Sequence, residues 1–294
     1  MTRGDVLLLG GGGFIGTALA ARLQQSGQSV RILGRLQTSQ TSHLAEALRG
    51  CRTVVHLACT TTPGVSATRP ELELGNIELT SQLTALLQHQ PETHLIFFSS
   101  GGTVYGNCGP EPVNEDAPLA PLSAHGEAKL LQESACEVLR AQGHAVTILR
   151  PSNAYGPGQT LKGGFGLVRT LLECSRQDMP LEIWGDGENV RDFIYIGDVV
   201  EAAARLIGLP KDSGTYNLSS GNGYSVNQVR DMVQRVCGRR LATTYRPARS
   251  VDVRRVVLDN ARSKARLGWQ PAVALEAGIA NTWSWLQGQP NPQR

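Results

Sequence analysis

Short apolar runs alternate with longer amphipathic stretches through the first half of the chain. Val6–Leu9, Val30–Leu33, Thr53–Leu57, Leu95–Ser99 and Val146–Leu149 read as strands. Thr17–Ser26, closed by Gly27, reads as a helix, as do Leu72–His89 and Ala124–Gln142. Strands that alternate with helices in this way predict right-handed βαβ units, and so an α/β chain built on a doubly wound parallel sheet of the Rossmann type. After Pro151 the pattern changes: Gly, Pro and aromatic residues punctuate shorter elements. We therefore expect a dinucleotide-binding domain over 1–155 and a smaller α/β substrate domain over 156–294. One more strand and helix are expected around Phe193–Ile207, and residues 193–220 are expected to return to the first sheet.

Composition narrows the picture without changing it. The chain has 294 residues, 40% hydrophobic and 18% charged, with a net charge of +3. That suits a globular domain with a sizeable core. It argues against a nucleic-acid or membrane-surface partner, since no long Lys/Arg run is present. The cysteines Cys51, Cys59, Cys108, Cys136, Cys174 and Cys237 are scattered without metal-like spacing, so no metal site is expected and free thiols in a reducing cytoplasm are. The apolar run at the N-terminus is too short for a signal peptide or a membrane span.

The first strand runs into Gly10-Gly11-Gly12-Gly13-Phe14-Ile15-Gly16, and a helix follows. Glycines at such a junction permit a tight turn, close approach of backbone to a pyrophosphate, and helix-on-strand packing. The helix N-terminus adds N–H donors and the positive end of its dipole. Gly10, Gly13, Phe14, Ile15 and Gly16 are thus candidate contacts for a nicotinamide dinucleotide. An acidic residue normally ends the second strand and binds the adenine ribose hydroxyls. Here Gly34 and Arg35 stand instead. A guanidinium suits a 2′-phosphate, so NADP is slightly favoured over NAD.

Further motifs follow in order. His56-Leu57-Ala58 ends a strand. Asn76 precedes Thr80 on a helix. Ser99-Ser100-Gly101-Gly102-Thr103-Val104-Tyr105-Gly106 comes next. It is followed by the run from Leu149 to Gln159, with Arg150, Pro151, Asn153, Tyr155 and Gly156. Gly185-Asp186-Gly187, Arg191-Asp192-Phe193, Asp198, then Arg249, Asp252, Asp259 and Leu267-Gly268-Trp269 complete the set. Together these resemble the extended short-chain dehydrogenase/reductase family, in particular its NAD(P)-dependent nucleotide-sugar epimerases and dehydratases, over nearly the whole chain.

The resemblance implies hydride transfer at a sugar carbon, usually the 4-position, on a nucleotide-diphosphate sugar. It implies cofactor contacts at Leu57, Ala58, Asn76, Ser99, Lys129 and Pro151. It implies substrate contacts at Tyr105, Asn153, Arg191 and Arg249, the arginines suiting a pyrophosphate. It also implies a homodimer paired through helices near Leu72–His89 and Ala124–Gln142.

The catalytic pattern of that family breaks at two positions. It has a Ser or Thr four residues before the Tyr of Val-Tyr-Gly, where this chain has Gly101. It has Tyr-x-x-x-Lys on a helix, where this chain has His125 and Lys129. An imidazole, with an ordinary pKa of roughly 6.5, is a competent general acid/base. Thr103 or Ser100 is expected to replace the missing hydroxyl. Three readings stay open: a nucleotide-sugar 4-epimerase using His125, an NADPH-dependent keto-sugar reductase, and a catalytically weak or silent binding homologue. A last departure concerns residues 36–52, where the family has an extra strand and this stretch is polar and helical at best.

Overall fold

The computed structural model describes residues 5–34, 41–161, 166–209, 212–248 and 253–290. Strand β1 (Asp5–Leu9) sends Val6 and Leu8 to one face of a sheet and Leu7 and Leu9 to the other, and all four are buried. Apolar side chains on both faces are what a parallel sheet needs when helices cover it on two sides. The chain continues through α1 (Phe14–Gln25), β2 (Val30–Leu33), α2 (Thr41–Leu48), β3 (Cys51–His56), α3 (Pro63–Thr68), α4 (Glu73–Leu87), β4 (His94–Phe98), α5 (Gly101–Val104), α6 (Ala124–Ala141) and β5 (Val146–Pro151).

The second half comprises β6 (Asn153–Tyr155), α7 (Leu167–Gln177), β7 (Leu181–Trp184), β8 (Val190–Tyr195), α8 (Ile196–Gly208), β9 (Gly214–Leu218), β10 (Gly223–Ser225), α9 (Val226–Cys237), β11 (Thr243–Arg246), β12 (Arg255–Val256), α10 (Ala261–Leu267) and α11 (Leu275–Gln287).

The central sheet has six parallel strands in the order β2-β1-β3-β4-β5-β9. One face packs on α1 and α8 through Leu19, Leu23, Val199 and Leu206. The other packs on α2, α4 and α6 through Leu44, Leu48, Leu83, Leu87, Cys136 and Leu139. This is the doubly wound Rossmann architecture. Strand order reverses between β1 and β3, so a crevice opens outside the carboxyl ends of those two strands. The polar stretch after β2 holds α2, and no strand separates β2 from β3 among the described residues, which leaves β2 at the sheet edge.

Of residues 193–220, α8 and β9 belong to the central layer. Strand β8 instead centres a second sheet, in which it pairs with β6, β10 and β12. A separate core forms around Val168, Leu171, Ile183, Phe193, Val229 and Ile279. Two aspartates tie the halves together. Buried Asp192 accepts hydrogen bonds from Ser152 Oγ at 3.0 Å, Ser220 N and Oγ at 2.9 Å, and Gly221 N at 3.1 Å. Asp198 accepts from Ala272 N at 3.0 Å and Val273 N at 3.1 Å, while Trp269 Nε1 donates to its carbonyl. Part of the motif pattern after Pro151 is therefore an instruction for assembly.

Candidate active site

The glycine turn lies at the crevice. Gly10 has a positive φ of 82°, and a Cβ there would sit 2.7 Å from the backbone of Ala58 and 2.9 Å from that of Leu57. Only a residue without a side chain allows β1 and the end of β3 to meet so closely. A Cβ on Gly16 would lie 2.4 Å from the carbonyl oxygen of Gly10, so this glycine lets α1 press onto the turn. Gly13 precedes the helix in an extended conformation, with no side chain capping the first amides. Those amides and the dipole behind them suit a pyrophosphate. Phe14 and Ile15 pack their side chains on the core behind the turn. Leu57 N donates to Leu9 O at 2.8 Å. Ser99, at the end of β4, keeps a buried hydroxyl without a hydrogen-bond partner, as a group awaiting a ligand would. These features fit a dinucleotide.

Helix α6 starts beside the same carboxyl edge. Ser123 caps it by accepting from Gly126 N at 3.2 Å. A Cβ on Gly126 would lie 2.8 Å from Thr103 O, so the helix start is pressed against α5. Lys129 is buried and donates from Nζ to Phe98 O at 3.0 Å, with the Phe97 ring 4.9 Å away. His125 lies one turn earlier on the same face, and so farther out beyond the strand ends.

His125 is 6% exposed and meets Glu73, 4% exposed, with Nδ1 2.9 Å from Oε1. Thr61 Oγ1 donates to the same oxygen at 2.6 Å, and Asn76 Nδ2 donates to Oε2 at 2.7 Å. Burial pushes the Glu73 carboxyl up, but the hydrogen bonds from His125, Thr61 and Asn76 and the charge of His125 outweigh it. The carboxyl is held at about 2. Asn76 also accepts from Thr60 N and Oγ1 and donates to Thr61, so its amide is engaged within the protein. Cys59 Sγ, the Glu73 carboxylate and a ring nitrogen of His125 all lie within 4.8 Å of one another. The sequence signalled neither Glu73 nor Thr61. Glu73 stands three residues before Asn76, a spacing that puts both on one helix face, and this was the only available hint.

Other candidate residues have different surroundings. A Cβ at Gly101 would lie 2.4 Å from Leu258 Cδ1 and 2.8 Å from Arg150 O, so this position has no room for a hydroxyl-bearing side chain. Thr103 Oγ1 donates to Ser100 O at 3.3 Å, and Ser100 precedes α5 without capping it. The Tyr105 hydroxyl is buried between Asn217 Oδ1, 2.8 Å away, and Arg150 Nη1, 2.9 Å away. Asn153 Nδ2 donates to Asp192 O at 2.8 Å, and Arg191 Nη1 to Val190 O at 2.9 Å. Pro151 is buried at the end of β5. Arg35 and Arg249 lie outside the described residues. His56 is buried beside Thr80 Oγ1 at 2.9 Å, and burial together with the Lys129 charge holds it down to about 3, a neutral core imidazole.

A doubly wound sheet, a bare glycine turn at its switch point and a titratable cluster beside it define a dinucleotide-dependent enzyme class. Residues 6–219 match the model of the NAD dependent epimerase/dehydratase family, and the chain belongs to that family. It is 29% identical to a UDP-glucose 4-epimerase of Mycolicibacterium smegmatis over 308 residues, 96% of this chain and 98% of the relative. Among solved structures it is similar to the UDP-glucose 4-epimerase of Thermotoga maritima with UDP-glucose. The TM-score is 0.91 and the identity 30%, covering 96% of this chain and 98% of that one. The UDP-glucose 4-epimerase of Thermus thermophilus in complex with NAD matches with TM-score 0.90 and 28% identity, covering 97% and 99%.

Proposed function

We propose that the protein is an NAD(P)-dependent 4-epimerase of nucleotide sugars, acting on a UDP-sugar. The observation that carries this reading is the position of His125 on α6, over the same carboxyl edge of the sheet as the glycine turn. The solved relatives bound to UDP-glucose and to NAD support the substrate class and the cofactor. When bound, the nicotinamide supplies a hydride acceptor and donor.

The chain's own residues divide the remaining work. Gly10, Gly13 and Gly16, with the first amides of α1, hold the pyrophosphate. Leu57, Ala58, Ser99 and Pro151 line the crevice. Lys129 sets a fixed positive charge one turn from His125. His125 takes the proton of the sugar hydroxyl as the carbonyl forms and returns it on reduction. The hydroxyls of Ser100 and Thr103 are the nearest replacements in the α5 loop for the one missing at Gly101. Asn153, Arg191 and Arg249 are assigned to the substrate side, whereas the buried Tyr105 hydroxyl is engaged by Asn217 and Arg150 and is not. Gly34 and Arg35, in place of an acidic residue, support acceptance of the 2′-phosphate of NADP.

Two helices also support a homodimer. Leu74 on α4 and Leu131 and Val138 on α6 are 68%, 56% and 57% exposed. The last two are seven residues apart, on one face. A monomer by light scattering at micromolar concentration would rule this pairing out.

Product analysis tests the function. The protein is incubated with UDP-, GDP- and dTDP-sugars, with NAD(H) and NADP(H) separately, and products are resolved chromatographically. Interconversion of C4 epimers of a UDP-sugar without net cofactor consumption is expected. Stoichiometric NADPH oxidation with a keto-sugar would make the protein a reductase. Cofactor binding without any conversion would leave a binding protein.

A further inference from the structure

The hydrogen bonds around Glu73 determine which nitrogen of His125 carries a proton. Thr61 Oγ1 and Asn76 Nδ2 both donate to the Glu73 carboxylate, at 2.6 and 2.7 Å. A carboxylate that receives these donors is an acceptor. The 2.9 Å contact with His125 Nδ1 is therefore an Nδ1–H donating to Oε1. Thr61 has one hydroxyl proton, already given to Glu73, so it has none left for Nδ1, 3.5 Å away. In the neutral ring Nε2 then carries the lone pair, and among the described residues it takes no hydrogen-bond partner.

From this geometry we infer that Glu73 is the positioning residue of a Glu73–His125 dyad that stands where the resembling family uses a phenol. The inference rests on the reading of His125 as the acid/base. Glu73 locks the ring as the Nδ1–H tautomer and stabilises the imidazolium formed when Nε2 takes a substrate hydroxyl proton. That proton goes back from Nε2 when the oxygen is protonated again, so none is gained or lost over the cycle. Three features make Glu73 suited to this. It starts α4, where a carboxylate is favoured by the helix dipole. It is held by Asn76 from its own helix and by Thr61 from the preceding loop, so it presents a fixed oxygen. It is buried, where one charge acts strongly on another. Among the described residues, Cys59, on the loop after β3, also lies in this cluster, and Lys129 stands one turn further along α6.

Nitrogen-15 NMR of the histidine-labelled protein, wild type and E73Q, reads the tautomer without any turnover. The His125 signal is assigned by its loss in H125F. In the wild type, the neutral ring is expected to carry its proton on Nδ1, and that preference should weaken in E73Q. A wild-type ring protonated on Nε2, or a tautomer balance unmoved by E73Q, overturns the dyad. In parallel, turnover of the UDP-sugar converted in the product analysis should fall roughly tenfold or more in E73Q with KM little changed. E73D, which keeps the charge, should recover part of it. Full activity in E73Q beside a dead H125F overturns the dyad but leaves His125 as the base. Full activity in H125F overturns the acid/base reading itself. Thermal melts of E73Q and E73D separate these outcomes from loss of fold.

Discussion

Helix α6 carries two buried acid–base pairs, and they differ in what they leave free. Near its start, His125 meets Glu73 through one ring nitrogen. Two turns on, Glu133 grips Arg150 through two bonds, at 3.0 and 2.6 Å. Arg150 also donates to Tyr105 Oη and to Glu115 O, so its donors are distributed around the pocket. Its guanidinium, pushed further up by Glu133 despite burial, never gives up a proton. The second pair is a rivet between α6, β5 and the loop after α5. The first pair leaves Nε2 without a hydrogen-bond partner among the described residues. Burial of opposite charges therefore says little about function. What matters is whether a proton can still move.

Breaking the rivet should have the largest effect. R150M leaves the Glu133 carboxylate buried and alone, which costs about 3–5 kcal/mol. A melting experiment at neutral pH should show that loss. A variant as stable as wild type would remove the contrast drawn here.

A second test sharpens the account of position 101. G101S restores the hydroxyl that the resembling family places there. Its Cβ would meet Leu258 Cδ1 at 2.4 Å and the backbone oxygens of Arg150 and Pro151 at 2.8 and 3.2 Å. Overpacking against backbone of this kind costs about 1–3 kcal/mol. The variant should melt lower and gain no activity. A more active G101S would show that the missing hydroxyl limits the enzyme.

The pH dependence separates the two pairs again. The Glu73 carboxyl is held at about 2 when folded, against an ordinary 4.5. A depressed acid stabilises fully above its unfolded value, and that contribution is lost as pH falls through the folded one. The stability gap between wild type and E73Q should thus shrink as pH falls from about 4.5 to about 2. A gap that stays constant over that window would mean that Glu73 carries no such shift. The smallest effect is expected at the cofactor. R35E should weaken NADP relative to NAD by roughly tenfold, about 1.4 kcal/mol, in a fluorescence titration. An unchanged ratio would remove Arg35 from the cofactor site.

Much of the fold was legible because it is local. β1 to β5 stand within a few residues of their expected places, since each is an apolar run ended by a turn. Helix α1 begins at Phe14 rather than Thr17, because Gly13 ends the loop earlier than the apolar period suggested. The glycine turn was legible for the same reason, and Gly10 and Gly16 each face backbone that tolerates no Cβ. The partner of His125 was not legible. Glu73 lies 52 residues away, and only the packing of α4 on α6 joins them. Tyr105 shows the converse. It belongs to a recognisable motif, yet its hydroxyl is held by Asn217, 112 residues later, inside the rivet described above.

The central claim is that an imidazole does the work of the missing phenol. The most direct measurement compares wild type and H125F, each saturated with NAD, for the rate at which they interconvert UDP-glucose and UDP-galactose. A loss of roughly 10²- to 10⁴-fold with cofactor affinity unchanged is the predicted result. Equal rates in the two proteins would contradict it.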